Sequence, residues 1–126
     1  MNKELIEMYR GVNSSCVITV VNGSNELQPC YTINVTDTKQ YISDKKLDLM
    51  KRLDINSKIS KTSYLIINGI ADLQQSKQDE YVGLVKDRRV GNYVLPKNCI
   101  IVFTVRSQND LSKITPNLYR LAYVAN

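Results

Sequence analysis

The sequence contains no histidine and no tryptophan, and a single phenylalanine among its 126 residues. Without histidine, no side chain has an ordinary titration near neutrality. Ser-His and Cys-His nucleophile pairs are excluded, as are most zinc sites. Cysteine is scarce. Cys16, Cys30 and Cys99 form no CxxC pair, and their number is odd. Each stands in or beside an apolar run, the setting of buried free thiols in a reducing cytoplasm. No stretch reaches the roughly 20 apolar residues of a membrane helix. The N-terminal MNKELIEMYR spreads its charges and lacks the apolar core of a signal peptide. Asn-x-Ser/Thr matches at Asn13, Asn22 and Asn34 carry meaning only in a secreted protein. The expectation is a cytoplasmic protein without a membrane partner or metal.

The hydrophobic fraction of 43% is enough for a folded core, and the length fits one domain. Lys plus Arg number 17 against 12 Asp plus Glu, a net charge of +5. Such a surplus serves solubility, or it attracts phosphate in nucleic acid or nucleotide.

Residues 3–10 place Leu5, Met8 and Tyr9 at helical spacing. CVITVV (16–21) is a continuous β-branched run of the kind buried on both sheet faces. NGSNELQP (22–29) is turn chemistry, and YTINV (31–35) alternates as a second strand. Ser43 can cap a helix reaching about Leu53, with Leu47, Met50 and Leu53 inward and Lys45, Lys46, Lys51 and Arg52 on its polar side. TSYLII (62–67) and CIIVFTV (99–105) are two more buried-type strands. Ser76 and Asp79 stand in the S-x-x-[DE] relation, which predicts a helix opening at Ser76 with Tyr81, Leu84 and Val85 on one face. RRVGNYVLPKN (88–98) has Gly-Asn at its centre and reads as a hairpin-like loop. Thr115-Pro116 opens a short helix, and LAYVA (121–125) is extended. Strands alternating with helices imply an α/β fold, a small and mainly parallel sheet with helices on both faces.

From Tyr64 onward this order resembles part of an AAA+ ATPase core of the MoxR-like kind, over about half of the chain. YLIINGIADL (64–73) occupies the place of the Walker B strand. VGLVKDRRVGNYVLPKNCIIVFTV (82–105) resembles the helix, the RRVG-Y-LP-N loop and the sensor 1 strand of that family. SQNDLSKITPNLYRL (107–121) resembles its DLS-I-P-L--R segment, which leads to the arginine finger, and Arg120 stands at the matching position. The resemblance implies a reduced P-loop core, a single AAA+-like domain over residues 1–126 without the C-terminal lid.

The departures from the family bear on function. A phosphate loop, G-x-x-x-x-G-K-[ST], wraps phosphates with backbone N–H groups, a lysine and a Mg²⁺-binding hydroxyl. No such sequence occurs in the chain. At the Walker B position the family's Asp helps to hold Mg²⁺ and its Glu activates water. Asn68 and Gly69 replace them. An amide is a poorer ligand than a carboxylate for a hard cation, and glycine has no side chain to act as a base. The sensor 1-like strand ends in Thr104, Val105 and Arg106. The expected result is a chain that does not hydrolyse ATP and carries no cofactor.

An arginine finger acts on a nucleotide held by a neighbouring subunit, so Arg120 needs none on its own chain. The plainer reading of Arg120 is a solvated arginine on a short helix. Lys86, Arg88, Arg89 and Lys97 surround Tyr93, an arrangement that tracks a nucleic-acid backbone and stacks a base, or that simply faces solvent. Two functions follow. One is a non-catalytic, AAA+-like protein acting through protein contacts, by self-assembly or as a pseudo-subunit or regulator of an active AAA+ ATPase. The alternative is a nucleic-acid-binding module with a basic surface.

Overall fold

The computed structural model describes residues 3–12, 15–21, 27, 30–35, 64–90 and 93–125. The helix expected from Ser43 to Leu53 lies outside them, as does nearly all of the 22–29 turn.

Five strands form one sheet, all pairs parallel: β1 (Cys16–Val20), β2 (Cys30–Asn34), β3 (Tyr64–Asn68), β6 (Ile100–Val105) and β7 (Ala122–Val124). Their order across the sheet is β2-β3-β6-β1-β7. The continuous apolar runs form its three inner strands, with burial on both faces of β1, β3 and β6. Parallel strands flanked on both faces by other elements need such runs.

One face carries Ile18, Leu65, Ile67, Ile101 and Phe103, packed against α2 (Gln75–Asp87) and α3 (Pro116–Tyr119) through Tyr81, Leu84, Val85 and Leu118. Tyr81 meets Phe103 edge to face at 6.1 Å, a geometry that aromatic quadrupoles favour. The other face carries Val17, Tyr64, Ile66, Ile100 and Val102 with Ile6 of α1 (Lys3–Glu7). The fold is therefore α/β with helices on both faces of a parallel sheet. The hairpin expected over 88–98 is present as β4 (Arg89–Val90) and β5 (Tyr93–Val94), paired antiparallel.

Two expected caps differ from the observed ones. The helix α2 opens at Gln75, one residue before Ser76, with Gln74 in the cap position, so Ser76 is inside the first turn. Thr115 holds the expected cap position of α3, but its side chain makes no cap bond. Its hydroxyl donates instead to Asp79 Oδ1 at 3.2 Å, and Asn117 Nδ2 donates to the same oxygen at 3.3 Å. Asp79 thus joins α2 to α3.

Candidate functional site at the strand ends

In a parallel sheet the carboxyl ends of the strands lie together, and loops leaving in opposite directions open a crevice there. Here β1 leads away toward β2 at one edge, and β6 leads to β7 at the other. A cleft of about 280 Å³ lies at this end of the sheet. Among the described residues its walls include Asn34, Asn68, Gly69, Asp72, Thr104 and Arg106.

The register lines up one polar row. Asn34 is the Cα partner of Asn68, and Asn68 that of Thr104. Directly paired residues point to the same sheet face. The Thr104 hydroxyl donates to Asn68 Oδ1 at 2.6 Å, and Asn68 Nδ2 donates to Asn34 Oδ1 at 3.1 Å. Both polar atoms of the Asn68 side chain are therefore engaged by neighbouring strands. The row is neutral.

Gly69 follows with φ 85° and ψ 20°, the left-handed region, and caps a 3₁₀ turn over Ile70–Asp72. A Cβ at this position would stand 3.2 Å from Val35 Cγ2 and 3.4 Å from Asp72 Oδ2. The strand ends in Asn-Gly because the chain must turn here through a conformation that glycine alone adopts without strain. A side chain at this position is strained by the backbone and crowds Val35. Gly69→Ala is expected to lose about 1–2 kcal/mol from the left-handed conformation, with the Val35 contact adding to it. Urea unfolding of the variant measures the loss.

Of the sensor 1-like pair, Thr104 belongs to the polar row and is buried. Arg106 stands at the rim, its side chain 80% exposed, and pairs with Asp72 at 3.0 Å. A pair so open to water contributes little to stability.

The remaining predicted residues lie elsewhere. Arg120 is the C-cap residue of α3 and is exposed. Lys86, Arg89 and Lys97 are exposed around the hairpin. Arg88 is not part of that solvated group. It is the one non-glycine described residue with positive φ, at 52°, and its Nη2 donates to Pro96 O at 2.8 Å and Cys99 O at 2.6 Å. This arginine closes the end of α2 onto the loop before β6. Tyr93 lies in β5, paired with Val90 across the hairpin.

From sequence alone Gln78 had no assigned role, and Asn34 had none at the strand ends. Asn34 had a signal, since β2, β3 and β6 each carry a polar residue at or next to the last position. Gln78 is fully buried on α2, and its amide joins three backbone groups. Nε2 donates to Leu73 O and Lys113 O, both at 2.9 Å, and Oε1 accepts from Thr115 N at 2.6 Å. Its spacing from Tyr81 and Val85 places it on the inward face, where a polar residue signals a buried hydrogen-bonding role.

No disulfide joins Cys16, Cys30 and Cys99, and burial pushes the Cys16 thiol up to about 12, away from nucleophilic use. No group of three or more His, Cys, Asp or Glu residues among the described residues is arranged to hold a metal. No described helix is long and apolar enough to cross a membrane. Comparison with protein-family profiles, curated proteins and solved structures finds no match for this chain.

Proposed function

We propose that this chain is a non-catalytic, AAA+-like protein of the cytoplasm that acts through protein–protein contacts, by self-assembly or as a pseudo-subunit of an active AAA+ ATPase. The observation that carries the reading is the neutral row Asn34–Asn68–Thr104 at the strand ends. In the resemblance, β3 and β6 serve the same nucleotide, so their ends must lie side by side. They are neighbours, with Asn68 opposite Thr104. The groups at that place are an amide and a hydroxyl bonded to one another, followed by a glycine whose conformation resists any side chain. Mg²⁺ would find no carboxylate on Asn68 and water no base on Gly69.

Support for a contact role comes from the exposed apolar side chains. Met8 is 70% exposed. Its neighbour Tyr9 stacks on Tyr123 of the edge strand β7, with ring centres 4.2 Å apart. Tyr119 and Tyr123 are also open to solvent. Large amphipathic side chains beside a sheet edge are the material of protein interfaces.

The nucleic-acid reading has less support, because Arg88 is tied to two backbone carbonyls. Light scattering on a sizing column, at low and physiological salt, tests the contact reading. A mass that is a multiple of 14.4 kDa is expected for self-assembly, and Arg120→Ala then tells whether the Arg120 face is used. A monomer at every concentration and salt overturns self-assembly and leaves the pseudo-subunit form, which requires capture of an AAA+ ATPase.

A further inference from the structure

Asn68-Gly69 is also a chemically labile pair, and its placement governs whether that lability is expressed. Asparagine is among the thermolabile residues of proteins, most of all before glycine, where no Cβ shields the following amide nitrogen. The reaction is internal. The Gly69 nitrogen attacks Asn68 Cγ and forms an N–C bond. The Cγ–Nδ2 bond breaks, and ammonia leaves with the proton that Gly69 nitrogen gives up. Water then opens the five-membered imide at one of its two carbonyls, leaving aspartate or isoaspartate at position 68. Nothing is oxidised or reduced.

We propose that Asn68-Gly69 is a conformationally gated deamidation site, closed in the folded chain and opened when the end of β3 separates from β6. Three contacts close it. The attacked carboxamide is held at Oδ1 by Thr104 and at Nδ2 by Asn34. The attacking nitrogen is turned into the sheet, where its N–H faces Thr104 O at 3.4 Å. Ring closure needs the carboxamide and this nitrogen to rotate toward each other, so all three contacts must break first. Thr104 supplies two of them, one from its hydroxyl and one from its carbonyl. Strand β6 is therefore the gate.

The products matter for the strand end. Aspartate puts a negative charge into a neutral row and removes the Nδ2 donor that Asn34 accepts from. Isoaspartate adds a backbone atom where Asn68 pairs with Asn34 and Thr104, and breaks the register. Each conversion thus weakens the contacts that close the strand end.

The test is peptide mapping by mass spectrometry on the full chain, incubated at mildly alkaline pH in native buffer and in concentrated urea. Conversion at position 68 is expected to be at least about tenfold slower in native buffer. Thr104→Val keeps the shape and the carbonyl but removes the hydroxyl. It should raise native-state conversion by about two- to tenfold, the factor that one hydrogen bond of net 0.5–1.5 kcal/mol represents. Equal rates in native buffer and urea, measured on the unaltered chain and independent of any variant's folding, would overturn the gate. So would a folded Thr104→Val chain that converts no faster.

Discussion

Gln78→Leu is expected to lose about 3–5 kcal/mol of stability, because it leaves three backbone groups without their partner and each orphaned group costs about 1–3 kcal/mol. The groups are the carbonyls of Leu73 and Lys113 and the N–H of Thr115. They belong to the loop before α2, the turn after β6 and the cap of α3. One side chain therefore ties the loop before α2 to the 113–115 segment that leads into α3. Against a total stability of about 5–15 kcal/mol for an ordinary domain, the loss is a large share. In urea unfolding the midpoint should fall with little change of slope. Gln78→Glu sharpens the test. Ionised, it turns a carboxylate toward two carbonyl oxygens; protonated, it recovers one donor. Its folded-state pKa is raised above the unfolded value, so the native state binds more protons between the two. Stability of this variant must fall as pH rises through that window and recover on acidification. A Gln78→Glu chain that gains stability with rising pH there would contradict the assignment.

The second large effect is expected at Arg88. Removing a charged donor from two carbonyls in Arg88→Ala should cost about 3–6 kcal/mol, since hydrogen bonds from charged groups contribute about 1.5–3 kcal/mol each. The carbonyls are those of Pro96 and Cys99. Arg88→Gly loses the same bonds but relieves the left-handed backbone, worth about 1–2 kcal/mol. The glycine variant should accordingly be the more stable of the two. Thermal unfolding of the pair separates the backbone contribution from the side-chain contribution. If both variants matched the unaltered chain, Arg88 would be a surface cation after all, available to a partner.

The strands were legible because their signal is local. Continuous β-branched runs such as CVITV and YLIIN bury on both faces wherever they occur, and alternation with helices then demands parallel pairing. The α2 face was legible for the same reason, through the spacing of Tyr81, Leu84 and Val85. What escaped depends on distance in space. The three-residue row joins Asn34 to Thr104 across a register that no local pattern encodes. Arg88 reads as one of several basic loop residues until the fold brings the Pro96 and Cys99 carbonyls under it. Gln78 shared the inward phase of α2, but its partners come from two other segments. The Ser76 cap failed because Ser76 stands two residues beyond the cap position, which Gln74 holds. Asn68-Gly69 was visible as a strand end without acids, yet the positive φ of Gly69 was needed to show why glycine stands there.

The most direct test of the proposed non-catalytic reading is a calorimetric titration of the full chain with ATP and Mg²⁺, at low salt where phosphate attraction is strongest. The account predicts no saturable binding in the micromolar range. Saturable, Mg²⁺-dependent binding that disappears in Asn68→Ala would contradict it, because the neutral row would then be a working nucleotide site.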